Sequence, residues 1–172
     1  HRVAGLKFSG TVFTNLTQDH LDYHGDMEKY FATKRCLFEM RTDKATQIVN
    51  MDDPFGRRMV GEFDVRTFGE AEEATFRISD LTLEQLKTSF QIAGAHYSMP
   101  LIGRHNVSNA AAAIGLARGI GISVERCIEG LSTAEPVPGR LEPIYRGQPF
   151  AVYVDYAHTD DALRQGLLTL RE

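Results

Sequence analysis

The chain alternates short apolar runs with longer amphipathic stretches at both of its ends, and this alternation constrains the fold more than any other feature. An apolar run over 11–16 predicts a strand, and the spacing of apolar residues over 27–40 predicts a helix after it. Strand–helix alternation is typical of an α/β fold with a parallel sheet. Further strands are predicted at 47–50, 65–68, 141–145 and 150–155, and further helices at 54–62, at 106–119, at 124–133 behind an N-cap at Ser123, and after an N-cap at Thr159.

Only the middle of the chain departs from this pattern. Three short runs with partial alternation, 75–80, 86–93 and 96–101, predict a small antiparallel sheet. No internal repeat, low-complexity stretch or linker divides the sequence. We therefore predict one α/β domain with a mostly parallel sheet, flanking helices and a small antiparallel sheet around 75–101.

Composition excludes several classes of protein. With 42% hydrophobic and 24% charged residues, the chain has the balance of a globular protein with a buried core. The 19 Lys and Arg residues against 23 Asp and Glu residues give a net charge of −4, which argues against a nucleic-acid binder that relies on phosphate contacts. No apolar run approaches the roughly 20 residues of a membrane-spanning helix. Two cysteines, Cys36 and Cys127, favour a reducing cytoplasm over a disulfide scaffold.

A cluster of histidines and aspartates follows the first predicted strand. Asp19, His20, Asp22 and His24 fall within six positions. Ligands of open α/β sheets bind beyond the carboxyl ends of the strands, so a metal or phosphate site is one interpretation of this cluster. A polar loop whose side chains cap nearby backbone groups is an equally good one.

Lys34 lies on the apolar stripe of the helix predicted at 27–40. It follows Tyr30 by four residues and precedes Phe38 by four. A lysine there either snorkels to the edge of the helix or is desolvated, and burial depresses the pKa of an amine. A neutral amine can react with carbon dioxide to form a carbamate, whose two oxygens suit a hard cation such as Mg²⁺. His20, fourteen residues earlier, could reach the same place.

Two further motifs offer polar groups at the starts of elements. Asn106 and Asn109 lie three residues apart at the start of a predicted helix, where their amides suit an adenine edge, although N-capping by Asn106 is the simpler interpretation of the pattern. Arg140 follows Gly139 at a turn before a strand. A guanidinium there can clamp a phosphate, but a surface arginine after a turn is the plainer interpretation.

The last motif stands at the carboxyl end of the strand predicted at 150–155. The strand delivers Asp155 to its end, and His158 and the N-cap Thr159 follow at once. An aspartate in this place commonly accepts hydrogen bonds from ribose hydroxyls. Capping of the next helix by Asp155 is compatible with that role.

Taken together, these motifs resemble the Mur ligase family of ATP-dependent amide ligases. The resemblance is carried by 13–28 (FTNLTQDHLDYHGDME), 32–34 (ATK), 106–109 (NVSN), 138–142 (PGRLE) and 155–159 (DYAHT). Their order and spacing match the family across nearly the whole chain. The strings DHLDYHG and DYAHT are most similar to the branch that adds the third amino acid to the UDP-MurNAc-peptide of the bacterial cell wall.

The resemblance implies a role for each candidate residue. Lys34 would be carbamylated and, with His20, would hold a Mg²⁺ ion near the phosphates of ATP. Asn106 and Asn109 would face the adenine and Asp155 the ribose, with His158 near the nucleotide. Arg140 would contact the γ-phosphate. Arg2 resembles an arginine that binds the substrate UDP-MurNAc-L-Ala-D-Glu, to which a diamino acid would be joined through an acyl phosphate.

The chain also departs from the family pattern. No Gly-rich phosphate loop of the type GTxGK[ST] occurs in it, and neither does the second Mg²⁺-binding glutamate, which lies shortly before His1 in the family. The sequence begins without methionine and stops within a predicted helix. We therefore expect residues 1–172 to be the distal part of the central ATP-binding domain of a longer ligase, lacking the phosphate-loop strand, the N-terminal UDP-binding domain and the C-terminal domain.

Several expectations follow from such a fragment. On its own it would be inactive, and its open sheet edge favours self-association. Two alternatives remain: a related ligase such as MurF, MurD or folylpolyglutamate synthetase, or a non-catalytic nucleotide-binding module.

Overall fold

The computed structural model describes residues 3, 5–17, 26–84 and 87–171, apart from the side chain of Asp161. The candidate residues Arg2, Asp19, His20, Asp22 and His24 lie outside these ranges. The elements follow one another as β1 (Phe8–Phe13), α1 (Met27–Glu39), β2 (Arg41–Asn50), α2 (Pro54–Met59), β3 (Arg66–Gly69), β4 (Phe76–Leu83), β5 (Thr88–Ile92), β6 (Ala95–Met99), α3 (Arg104–Gly119), α4 (Val124–Ser132), β7 (Glu142–Pro143), β8 (Tyr153–Val154) and α5 (Asp160–Thr169).

Six strands form one sheet in the order of the sequence, β1-β2-β3-β4-β5-β6. The pairs from β1 to β4 are parallel, and the pairs from β4 to β6 are antiparallel. The predicted fold class is therefore confirmed, and the antiparallel strands continue the parallel sheet through β4. Strands β5 and β6 are joined by Ala93 and Gly94, whose φ angles of 51° and 78° suit a two-residue hairpin turn. A separate antiparallel pair is formed by β7 and β8.

Helices cover both faces of the sheet. Ile48 and Val49 are adjacent in β2, both fully buried, and point into different cores because side chains alternate along a strand. Val49 faces α1 and α2, where it packs in a cluster with Phe31 and Phe38. Ile48 faces the alanine-rich helix α3. Within the described ranges, no helix combines the length and apolar character that a bilayer crossing demands.

The first strand ends earlier than the sequence predicts. The run 11–16 was expected to be strand throughout, but β1 stops at Phe13. Side chains from the neighbouring strand end take over its backbone groups: Asn50 donates to the Thr14 carbonyl at 2.7 Å, and Asp53 accepts from the Leu16 amide at 3.1 Å. These long-range bonds leave no ladder partners for the end of the run.

Other boundaries shift for local reasons. β2 begins six residues before the predicted 47–50, at Arg41, because Phe8 pairs with it and the exposed start of the strand carries no apolar signal. Strands β7 and β8 are much shorter than 141–145 and 150–155. The N-caps Ser123 and Thr159 are confirmed, since they accept from the amides of Arg126 and Ala162.

Candidate nucleotide-binding site

The carboxyl edge of the parallel strands is bound together by three side chains from the end of β2. Asn50 and Asp53 hold the loop after β1, as described above. Asp52 reaches the next strand end, where its carboxylate accepts from the amides of Glu70 and Ala71 at 2.8 and 3.0 Å. The described start of the loop after β1 (14–17) and the loops after β2 and β3 are therefore joined by hydrogen bonds, at the edge where ligands of such sheets bind.

Lys34 lies beside the first of these loops. Its helix α1 is capped by Asp26, which accepts from the Lys29 amide at 2.8 Å. The half-buried Lys34 side chain lines a cavity together with Thr14 and Asn15 of the loop after β1, and its Nζ atom lies 5.1 Å from the centre of the Tyr30 ring. Lys34 thus lies beside the start of the loop after β1, while His20 lies outside the described residues, and a shared role of the two stays a prediction.

The two asparagines lie at the start of α3. The N-cap of this helix is Gly103, with a φ of 90°, and not Asn106 as the simpler interpretation had it. Asn106 lies inside the first turn and its Nδ2 donates to the Ile102 carbonyl at 2.9 Å. Asn109 lies one turn further along and is exposed. Among the residues that the structure describes, the Asn106 side chain makes this one hydrogen bond, and its amide can make others.

The motifs around Arg140 and Asp155 form a single unit. Asp155 accepts from the Leu141 amide at 2.8 Å through Oδ2 and from the Ala157 amide at 2.7 Å through Oδ1. The Tyr156 amide donates to the Gly139 carbonyl at 2.8 Å. Asp155 therefore stabilises the turn that carries Arg140, whereas the following helix α5 is capped by Thr159.

Asn106 and Arg140 line one cavity. Its walls are otherwise largely apolar and are formed by Pro100, Leu101, Ile102, Pro136, Leu141, Pro143 and Tyr153. The cavity holds only about 40 Å³, less than the roughly 300 Å³ or more of a small-molecule pocket, but an amide and a guanidinium in its lining are groups that suit a base and a phosphate. This cavity and the one beside Lys34 share no lining residue, so the structure does not bring Lys34 and Arg140 into one cavity.

Two histidines stand near this unit. The ring of His105 lies beside Gly103 and lines a cavity with the end of α5; the residue is exposed, but partial desolvation by its neighbours lowers the pKa of His105, while the charge of Asp155 opposes the shift. His158 places its Nδ1 3.0 Å from the Tyr156 carbonyl and its ring against that of Tyr156. No sequence signal marks His105, because its place beside the end of α5 depends on the tertiary fold.

The side chains near Lys34 decide whether a metal ion could bind there. Among the residues that the structure describes, no group of three or more His, Cys, Asp and Glu side chains could hold an ion. A carbamate on Lys34 would add two hard oxygens next to Thr14 and Asn15, which suits Mg²⁺. The residues present therefore fit a magnesium ion only if Lys34 is modified and further ligands come from outside the described ranges.

Comparisons with known proteins agree with this architecture. The model of the Mur ligase middle domain matches residues 1–117. The UDP-N-acetylmuramoyl-L-alanyl-D-glutamate–2,6-diaminopimelate ligase of Solibacter usitatus is 41% identical over 180 aligned positions, which cover 99% of this chain and 36% of that protein. The chain thus spans about a third of the length of the curated relatives it matches.

Solved structures show the same fold. A structure of a UDP-N-acetylmuramoyl-L-alanyl-D-glutamate–2,6-diaminopimelate ligase superposes with a TM-score of 0.79 at 29% identity, covering 99% of this chain and 37% of that one. The MurF ligase of Thermotoga maritima, solved in complex with ADP, gives a TM-score of 0.82 at 20% identity, covering 96% of this chain and 39% of that one. The sheet, the helices on its two faces and the sequence match over most of the chain agree, and the chain belongs to the Mur ligase family.

Proposed function

We propose that this chain is part of the central ATP-binding domain of a MurE-type ligase, which joins a diamino acid to UDP-MurNAc-L-Ala-D-Glu during peptidoglycan synthesis in the bacterial cytoplasm. The observation that carries the proposal is 41% identity, over 99% of the chain, to a ligase named for that substrate and for 2,6-diaminopimelate. Other parts of the longer protein would supply the phosphate loop, the UDP-binding domain and the C-terminal domain.

The nucleotide would bind at the cavity between α3 and the turn before β7. Asn106 and Asn109 would meet the adenine edge, and the free groups on the Asn106 amide support this role. Each oxygen of Asp155 accepts one backbone bond and keeps capacity for a ribose hydroxyl. Arg140 would contact the γ-phosphate, and His158 would lie near the nucleotide.

Lys34 would carry a carbamate. The lone pair of its neutral amine attacks the carbon of CO₂, one C=O electron pair moves to oxygen, and the nitrogen releases a proton to water. The product is an anion with two oxygens beside Thr14 and Asn15. Together with His20 it would hold Mg²⁺, which when bound neutralises charge on the phosphates.

The reaction itself would proceed in two transfers. The γ-carboxylate of D-Glu attacks the γ-phosphorus of ATP, which gives an acyl phosphate and ADP. The amine of the diamino acid then attacks the acyl carbon, the C–O bond to phosphate breaks, and the nitrogen releases a proton to water as the amide forms. Arg140 would stabilise charge on the transferring phosphoryl group, and Arg2 would hold the UDP-MurNAc-dipeptide.

A chimaera tests the proposal. Residues 1–172 replace the matching segment of the Solibacter usitatus ligase, and ADP release is measured with UDP-MurNAc-L-Ala-D-Glu and diaminopimelate. We expect turnover that needs both substrates and that falls about a hundredfold or more in Lys34→Ala. Lys44→Ala, at an exposed lysine, is the matched control and keeps its activity. A folded chimaera without turnover contradicts the proposal, as does ligation by the isolated chain, for which we expect none.

A further inference from the structure

The C-terminal end of α1 is anchored to the sheet by hydrogen bonds. The Phe8 amide donates to the Met40 carbonyl at 2.8 Å, just past the end of the helix. The buried Gln47 side chain donates to the Phe38 carbonyl, also at 2.8 Å. These bonds tie the helix end to β1 and β2 but leave the first turns of α1, before Lys34, to be held by other means.

The N-terminal end of α1 is held by Arg58 of α2. Two parallel bonds join the guanidinium to Glu28, from Nη1 to Oε1 at 2.8 Å and from Nη2 to Oε2 at 2.7 Å. The guanidinium carbon also lies 4.5 Å from the centre of the Phe31 ring and 5.2 Å from that of Phe55. A planar, bidentate and stacked arginine fixes orientation as well as distance. In accord with this pairing, Arg58 lowers the pKa of Glu28.

Helix α2 is in turn fixed to the loop that faces Lys34. Asp53 caps α2 by accepting from the Phe55 and Gly56 amides at 2.9 and 3.0 Å. Its second oxygen accepts from Leu16 in the loop after β1. A continuous series of contacts therefore runs from that loop through Asp53 and Arg58 to the first turns of α1.

Arg35, an arginine of α1 itself, does not connect the first turns of this helix to α2. Arg35 bonds Glu39 in its own helix at 2.6 Å and approaches Glu62 at 3.4 Å. Both of its partners lie toward the end of α1 that the sheet already anchors. The Glu28–Arg58 pair, in contrast, joins the first turn of α1 to α2.

We infer that Arg58 is a positioning residue for Lys34, which it holds in register with the loop after β1 by clamping the start of α1 onto α2. The inference rests on the proposed function, in which Lys34 must face Thr14 and Asn15 to present a carbamate. Arg58 itself touches no reacting atom. Loss of the clamp would let the N-terminal half of α1 open locally and release Lys34 from its cavity.

Two measurements on the 172-residue chain separate this inference from the proposed function. The first is the acetylation rate of Lys34 relative to the exposed Lys44 of β2, by competitive labelling with acetic anhydride and mass spectrometry across a pH series. The second is chemical trapping of ¹³C-labelled carbamate on Lys34 in bicarbonate, with Lys34→Ala as the blank. Thermal unfolding of each variant shows that it is folded.

In Arg58→Gln we expect the relative rate of Lys34 to rise about threefold or more and the trapped carbamate to fall by a similar factor. Arg58→Lys does not rescue either readout, because an ammonium cannot bind both carboxylate oxygens while lying flat on two rings. Glu28→Gln gives the same change, and the double variant adds little to it. Arg126→Gln, which breaks an exposed pair on α4, changes neither readout.

The outcomes distinguish the positioning role of Arg58 from the proposed carbamylation of Lys34. A folded Arg58→Gln variant with the wild-type labelling rate at Lys34 overturns the positioning role, whatever the carbamate measurement gives. Full rescue by Arg58→Lys overturns it as well, because the stacked bidentate geometry is then unnecessary. Responsive labelling without any trapped carbamate in the wild-type chain supports the positioning role and contradicts the proposed modification of Lys34.

Discussion

The Oδ2 atom of Asp155 accepts a hydrogen bond from the Leu141 amide at 2.8 Å across fourteen residues of sequence. Leu141 has a φ of 44°, a left-handed conformation that is unfavourable for a leucine. The carboxylate therefore helps to hold the turn that presents Arg140, besides any contact with a ligand. One aspartate thus links the two motifs that the proposed nucleotide site needs.

Replacement of Asp155 should loosen this turn. Asp155→Ala removes the acceptors of the Leu141 and Ala157 amides, and we expect a loss of about 1–2 kcal/mol in the free energy of unfolding. Asp155→Asn keeps one acceptor oxygen and should cost less. Urea unfolding measures the free energy, and amide exchange at Leu141 reports the local opening. An unchanged exchange rate at Leu141 in Asp155→Ala would show that Asp155 does not hold this turn.

Gly56 is expected to tolerate no side chain. A Cβ atom there would collide with the Asn50 carbonyl oxygen, which is backbone and cannot swing away. Because Asn50 also holds Thr14, the strain would reach the loop beside Lys34. We expect Gly56→Ala to destabilise the chain by about 3 kcal/mol or more, or to prevent folding.

Gly61→Ala is the matched control for that substitution. Gly61 has a φ of 86°, but a Cβ there meets no atom within 4 Å. Its cost is then only the left-handed conformation, about 1–2 kcal/mol. Thermal unfolding of both variants under the same conditions tests the difference. Equal melting temperatures would show that the close approach of Gly56 in α2 to the Asn50 carbonyl does not add to the cost of a side chain.

The sequence predicts correctly those features that depend on residues close together in the chain. The caps Ser123 and Thr159 are confirmed because a cap bonds to an amide two or three residues away. The end of β1 was predicted wrongly because Asn50 and Asp53, more than thirty residues further along, determine it. Nothing near Leu16 in the sequence carries that information.

The candidate site divides in the same way. The motifs around Asn106, Arg140 and Asp155 could each be recognised in the sequence. Each of them, however, is explained by a ligand-binding role or by a purely structural role. The tertiary fold brings the start of α3 and the turn before β7 to one cavity, and no spacing in the sequence encodes that proximity. The same holds for the Glu28–Arg58 clamp, whose partners are thirty residues apart. Only the resemblance to a family indicated that these separate motifs belong to one site.

His105 should make stability depend on pH. Partial desolvation of the exposed imidazole beside Gly103 lowers its pKa below the ordinary value near 6.5, so the unfolded chain binds more protons than the folded chain once the pH falls below about 6.5. The free energy of unfolding therefore decreases as pH is lowered through this range, and levels off below the folded pKa. His105→Gln should flatten the curve between about pH 7 and pH 5. A titration of the imidazole by NMR that gives a raised pKa would contradict the sign.

Thr88 offers a way to stabilise the sheet. Its side chain is fully buried in β5, and within the described part of the chain its hydroxyl has no hydrogen-bond partner. A desolvated hydroxyl without a partner costs free energy, and valine has nearly the same shape. We therefore expect Thr88→Val to raise the free energy of unfolding by about 1 kcal/mol.

Thr67 is the matched control, because it is also a buried strand threonine but is fully paired. Its hydroxyl accepts from the Thr75 amide at 2.9 Å, and the Thr75 hydroxyl accepts from the Thr67 amide at 3.2 Å. Thr67→Val leaves the Thr75 amide without its acceptor and should lower the free energy of unfolding by about 1–2 kcal/mol. Urea unfolding of the two variants measures two changes of opposite sign. If both variants lose stability to the same extent, the Thr88 hydroxyl contributes a bond after all, and its burial carries no penalty to relieve.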